Sequence, residues 1–222
     1  MIPPEADGEF VAHMEKVLDV YQRPYDPAHP VIAMDEQPVQ LIKETRQPIA
    51  ATKQHPKRVD YEYERAGTAS IFMFSEPLAG WRETTARETR TKLDWAEEVA
   101  RLLEGKYQDC AKITLVCDNL NTHTIGAFYE KFAPARARKL VSRIEFCYTP
   151  KHGSWLNVAE NELSSLTRQC LNGRRMGDLP TLQREISAWS NDVNKTQRGV
   201  DWHMKVSDAR CKLKSVYPKI RR

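Results

Sequence analysis

The stretch KITLVCDNLNTHT, residues 112–124, carries the reading of the fold. Ile113–Cys117 is a short, continuous apolar run bounded by polar residues, the pattern of a strand buried on both faces. It ends on an aspartate, Asp118. An earlier run has the same form: VIAM, residues 31–34, followed directly by Asp35. A carboxylate beside a buried strand is costly unless it is paired, hydrogen-bonded or bound to a metal. Open α/β sheets place their ligand sites beyond the carboxyl ends of such strands. Either aspartate alone reads as a turn former, Asp118-Asn119 above all. Two in one setting point to a common crevice.

Working outward, Phe10, Met14, Val17 and Tyr21 recur at helical spacing. A proline-rich break, RPYDPAHP, then leads into the first strand. The segment DYEYERAGTASIFMF, residues 60–74, reads as two strands joined around Ala66-Gly67. A helix over 91–104 carries Leu93, Ala96, Ala100 and Leu103 on one stripe and stops at Gly105. A helical stretch over 122–140 breaks near Pro134, and IEFCY, residues 144–148, is a further strand. Ser154 is placed to cap a helix with an apolar stripe of Ala159, Leu163, Leu166 and Cys170. A last helix begins near Asp178 and buries Leu182, Ile186, Trp189 and Val193. The order predicts an α/β fold, one mixed sheet of about five strands flanked by helices. The expected organisation is an N-terminal helix and linker (1–29), a catalytic domain (30–195) and a basic C-terminal extension (196–222).

At 41% hydrophobic and 29% charged residues the chain is neither disordered nor membrane-spanning, and it carries no secretory pattern. Its five cysteines are scattered and never arranged as CxxC, so neither a zinc site nor a disulfide framework is expected. A reduced cytoplasmic setting follows. Net charge is only +4, but basic residues cluster. One cluster is Arg46, Lys53, Lys57 and Arg58, another Arg136, Arg138, Lys139 and Arg143, and nine Lys or Arg fall between Lys195 and Arg222. Clusters of this kind suit a polyanion such as DNA, although each alone also reads as a solvated face.

Glu160 is the natural third acid, on the helix after Ser154 and beside its apolar stripe. Glu162 is rotated by about 200° from it, and Glu36 projects from the strand face opposite Asp35. Both are read as bystanders, and Glu162→Gln is expected to be nearly silent. Three carboxylates without His or Cys ligands specify magnesium or manganese rather than zinc. Two such ions would support in-line phosphoryl transfer with a nucleophile drawn from water or DNA. No Walker loop, GxSxG or HExxH motif competes with that chemistry. Asn119, His123, Trp155 and Asn157 are secondary candidates, with His123 or His152 placed to touch a phosphate or orient a water.

The wording of three blocks, VIAMDEQPVQL, LVCDNLNTHT and YTPKHGSWLNVAENEL, resembles the catalytic blocks of bacterial insertion-sequence transposases of the mariner superfamily. These belong to the DDE transposase and retroviral integrase group, and DYEYERAGTASIFMF resembles the second and third strands of its RNase H-like domain. The resemblance implies that Asp35, Asp118 and Glu160 bind Mg²⁺ or Mn²⁺, two ions in all. It further implies cleavage at transposon ends and strand transfer into target DNA by a homodimer assembled on DNA. Lys53, Lys57, Arg58, Arg136, Arg138, Lys139, Lys151 and His152 are the expected DNA contacts. No helix-turn-helix precedes the first block, so end recognition is expected to need a separate module. Two other readings stay open: a catalytically silent DNA-binding remnant, and a generic RNase H-like nuclease.

Overall fold

The computed structural model describes residues 7–196 and 198–219. The ends of the expected N- and C-terminal segments, including Arg221 and Arg222, lie outside the described residues. Five strands form one sheet: β1 (Val31–Glu44), β2 (Tyr63–Glu76), β3 (Trp81–Arg87), β4 (Ile113–Cys117) and β5 (Ile144–Tyr148), in the order β3-β2-β1-β4-β5. β3, β2 and β1 are antiparallel neighbours, whereas β4 and β5 run parallel to β1. Helices α1 (Gly8–Tyr21), α5 (Val158–Leu166), α6 (Leu179–Lys195) and α7 (Val206–Lys212) contribute to the core on one face. Helices α2 (Lys92–Glu104), α3 (Ile125–Lys131) and α4 (Pro134–Val141) cover the other. Alternation along β1 divides the faces: Val31 and Ala33 enter the first core, Ile32 and Met34 the second.

Three local expectations are corrected. β1 does not stop at Asp35 but continues to Glu44 as a ribbon with β2. Its pairing with β4 covers only Val31–Ala33, and beyond that an open edge tolerates Pro38. Ala66-Gly67 is not a hairpin turn but a bulge inside β2. Gln40 pairs with Thr68 and Ile42 with Arg65, so Leu41 faces two residues, and Gly67 takes the positive φ (94°) that such a bulge needs. The hairpin closes instead at residues 77–80, and the third strand is WRETTAR, whose half-polar composition concealed it. Other elements agree with the reading. Thr91 caps α2 through a capping box with Asp94, Gly105 ends it, the break at Pro134 separates α3 from α4, and Asp178 caps α6.

Both sheet edges are covered by side chains. On β3, Asn194 of α6 accepts from the Arg82 amide at 2.8 Å and donates to its carbonyl at 2.7 Å. Gln183 likewise accepts from Ala86 at 2.7 Å and donates to Thr84 at 3.3 Å. On β5, Lys16 of α1 donates to the Phe146 carbonyl at 2.9 Å, and His13 Nδ1 lies 3.2 Å from the Tyr148 carbonyl oxygen.

Glu162 is not a bystander. Its carboxylate receives Arg82 in bidentate fashion, Nε at 2.7 Å and Nη2 at 2.9 Å, with Arg198 at 3.2 Å behind. The Glu162 and Arg82 side chains are 5% and 1% exposed, so either left alone would be a buried, uncompensated charge. This pair ties α5 to β3. We therefore expect Glu162→Gln to destabilise the protein by about 3–5 kcal/mol in urea unfolding. Replacing Glu162 and Arg82 together by Leu and Met should recover much of that loss.

Candidate active site

β1 and β4 pair in parallel as Val31 with Thr114, Ile32 with Leu115 and Ala33 with Val116. Two more steps of this register bring Asp35 level with Asp118. Asp35 shares the parity of Ala33 and faces the side on which α5 packs. α5 is held there by Asn157, whose side chain donates to the Met34 carbonyl at 2.9 Å and accepts from the Ala159 amide at 3.1 Å. Asn157 is thus the helix cap, and Ser154 instead opens a 3₁₀ turn over Ser154–Leu156. Glu160 consequently sits in the first turn of α5 rather than farther along it. One crevice is lined by Asp35, Asp118 and Glu160 together with Gln37, Thr149 and Asn157.

Burial raises the Asp35 carboxyl to about 7; the Glu36 amide, donating to it at 2.8 Å, opposes the shift, and the charges of Asp118, Glu160 and Glu36 add to it. The three acids line the crevice without closing on one point: among the described residues no three His, Cys, Asp or Glu side chains form a ready metal cluster. The donor set nevertheless fits a hard cation. It is all oxygen, and Asp118 Oδ1 is buried with no hydrogen bond in line to it. His123 Nδ1 lies 2.6 Å from that oxygen, but its hydrogen-bond geometry is met at the Asp118 carbonyl, 3.3 Å away.

His123 is buried, its side chain 1% exposed, between Asp118 and Glu36, with Nε2 3.1 Å from Glu36 Oε1. Its ring is enclosed and does not line the crevice that holds the three acids. Burial lowers the imidazole pKa, but Asp118, Cys117 and Glu36 outweigh it and push it up to about 12. Glu36 does face away from Asp35, as expected, yet it is His123's partner. No local pattern marks that link, which joins residues 87 apart.

The remaining candidates disperse. Asn119, Lys151 and His152 line a second groove that shares Asp118 with the first, and His152 adopts a positive φ of 65°. Trp155 is half-buried against the α1–α5 core and lines neither groove. Lys53, Lys57 and Arg58 are exposed on the long connection between β1 and β2. Arg136 pairs with Glu104 at 2.7 Å and stacks over Phe132, while Arg138 and Lys139 are exposed on α4. α4 leads into the start of β5, the sheet end opposite Asp118, so the structure does not bring this cluster to the acids.

A five-stranded sheet in this order, flanked by helices on both faces, is the RNase H-like fold. Within that class, residues 30–183 match the family described as DDE superfamily endonuclease, and the chain belongs to it. Similar solved structures are the Mos1 mariner paired-end complex with Mn (TM-score 0.53, 12% identity, covering 89% of this chain and 62% of that one) and the Mos1 strand transfer complex (0.52, 12%, 89% and 61%). A Mos1 transposase paired-end complex with the left transposon end is a third (0.53, 12%, 86% and 57%). The chain thus spans about three fifths of the length of the first two chains. No curated protein sequence matches it. The expected RNase H-like fold and membership of the DDE group are borne out, with the third strand moved to Trp81–Arg87.

Asp35 makes stability pH-dependent. Its folded-state pKa, about 7, lies above the ordinary 3.8, so the folded chain holds this proton more tightly than the unfolded one. The resulting stabilisation is complete below about pH 4 and is lost as pH rises towards 7. In EDTA, Asp35→Asn should therefore become more stable than wild type over that interval, with the gap levelling off above pH 7. Urea titrations at a series of pH values measure it.

Proposed function

We propose that the chain is a transposase catalytic domain that cleaves DNA at transposon ends and transfers the freed strand into target DNA. The observation that carries this reading is the convergence of Asp35, Asp118 and Glu160 on one crevice from β1, β4 and α5. In this reading Asp35, Asp118 and Glu160 hold Mg²⁺ or Mn²⁺, two ions in all. When bound, such ions polarise the scissile phosphate and lower the pKa of the attacking water or hydroxyl.

The protein's own part is positioning. β1 and β4 set Asp35 and Asp118 side by side, and Asn157 anchors the start of α5 so that Glu160 faces them. None of the three acids has to act as a nucleophile. Lys53, Lys57, Arg58, Lys151 and His152 hold the DNA backbone, a sequence-independent task suited to exposed basic groups. A homodimer on paired ends and a separate module for reading end sequence complete the proposal.

Cleavage of a supercoiled plasmid and of a duplex carrying transposon ends, with Mg²⁺, Mn²⁺ or EDTA, tests it. Asp35→Asn, Asp118→Asn and Glu160→Gln should each lower cleavage by at least about 10³-fold while leaving DNA affinity intact. Metal-independent cutting, or full activity in any of the three variants, would sink the proposal. Preference for RNA–DNA hybrids would redirect it to a general nuclease.

DNA affinity should fall steeply with salt. Replacing Lys53, Lys57 and Arg58 by Ala should flatten the slope of log K against log salt by about 0.9 for each phosphate that the loop no longer neutralises. An unchanged slope removes this loop from the DNA interface.

A further inference from the structure

We propose that His123 and Glu36 form a positioning pair that aims the Asp118 carboxylate at a bound divalent cation, an inference that rests on the reading of Asp118 as a metal ligand. Asp118 is the acid most in need of such help. It stands just beyond the end of β4, at the start of a loop, with its side chain 38% exposed. A carboxylate there has several rotamers open to it, and ordering them opposes binding.

His123 restricts that freedom. On one side of the ring Nδ1 meets the Asp118 carbonyl in hydrogen-bond geometry at 3.3 Å and lies 2.6 Å from Asp118 Oδ1, and on the other Nε2 lies 3.1 Å from Glu36 Oε1. The ring itself is held fast. Its own amide donates to the Leu120 carbonyl at 3.0 Å, its carbonyl accepts from the Tyr148 hydroxyl at 2.9 Å, and Trp95 packs with its ring centroid 5.1 Å away. Glu36 is equally fixed, 4% exposed at the side chain and carried by the central strand. Rotating the imidazole would break both polar contacts inside a buried site, where an unpaired group is expensive.

Strand alternation explains the arrangement. Asp35 and Glu36 are successive residues of β1, so one carboxyl enters the crevice and the other the opposite face. There Glu36 reaches back to Asp118 through the imidazole. β1 thereby controls two of the three acids, one directly and one through an intermediary. Partners standing behind metal ligands act in this way, orienting the ligand and tuning its basicity, and their loss typically weakens metal binding about 10- to 100-fold. A buried histidine used only as packing beside Trp95 would need no carboxylate at either nitrogen.

The test is Mn²⁺ binding to the purified chain by calorimetry and electron paramagnetic resonance at fixed pH. Thermal unfolding in EDTA is recorded alongside for wild type, Asp118→Asn, His123→Asn, Glu36→Gln and the Glu36→Gln/His123→Asn double variant. His123→Asn should weaken Mn²⁺ binding by about 10- to 100-fold. Glu36→Gln should weaken it less, and the double variant should be no worse than His123→Asn alone, because the two act as one unit. If wild type binds no Mn²⁺, or Asp118→Asn binds it equally well, the underlying metal reading fails. If Asp118→Asn loses Mn²⁺ while Glu36→Gln and His123→Asn bind like wild type, the positioning pair alone is overturned. Additive losses in the double variant overturn it too. Should His123→Asn fail to fold, the near-isosteric Glu36→Gln decides: wild-type affinity refutes the pair, and a loss at unchanged thermal midpoint supports it.

Discussion

Three pairs of residues join the two halves of the sheet: Val31 with Thr114, Ile32 with Leu115, and Ala33 with Val116. On one side of that seam lies the antiparallel β1–β2–β3 meander, on the other the parallel pair β4–β5. The seam is short because β1 and β4 part company as soon as the acids begin. Both aspartates therefore stand at the same height, beside a gap that no further strand pairing fills. A slip of one residue would reverse the faces of Asp35 and Glu36 and detach Glu160 from its companion. The apolar residues that fill both cores, Val31 and Ala33 on one side and Ile32 and Met34 on the other, make such a slip prohibitive.

That register imposes a tension the surrounding structure has to absorb. Asp35 is pushed up to about 7 chiefly because burial penalises its charge, and neighbouring acids add to the burden. The Glu36 amide on the same strand opposes that shift, while polar contacts from other elements fix the facing helix. Asn157 fastens α5 to the Met34 carbonyl, and Arg82 secures the same helix from below through Glu162. α5 thus carries two glutamates two residues apart with opposite duties, one facing the crevice and one neutralised in the interior. The fold is least hydrophobic where it must be most rigid, because directional hydrogen bonds fix orientation more sharply than apolar contact does.

What the sequence reveals follows the same division. Asp35, Asp118 and Glu160 stand out because each adjoins an apolar run whose period declares its element. The third strand does not: WRETTAR holds its place as a half-buried edge strand because Glu162, eighty positions away, takes up Arg82 and the side-chain amides of α6 meet its backbone. Gly67 looks like a turn and is a bulge, a distinction set by the partner strand rather than by the glycine. The cap of α5 moves from Ser154 to Asn157 because a 3₁₀ turn intervenes. Glu36 reads as a bystander and His123 as a contact for a phosphate or a water, and only tertiary packing brings the two together.

The side-chain amides on the outer margin of β3, and the lysine and histidine along β5, have a bearing on how copies of this chain can meet. An open sheet usually offers its outermost backbone to a newcomer, which is how many β-rich proteins pair and also how they aggregate. Here Asn194 and Gln183 already occupy the backbone groups of Arg82, Thr84 and Ala86, and Lys16 and His13 those of Phe146 and Tyr148. At those positions no ladder is free for an added strand. Any second copy of this chain is steered away from these backbone positions and towards loops and helices, which leaves the sheet that aligns the acids independent of such contacts.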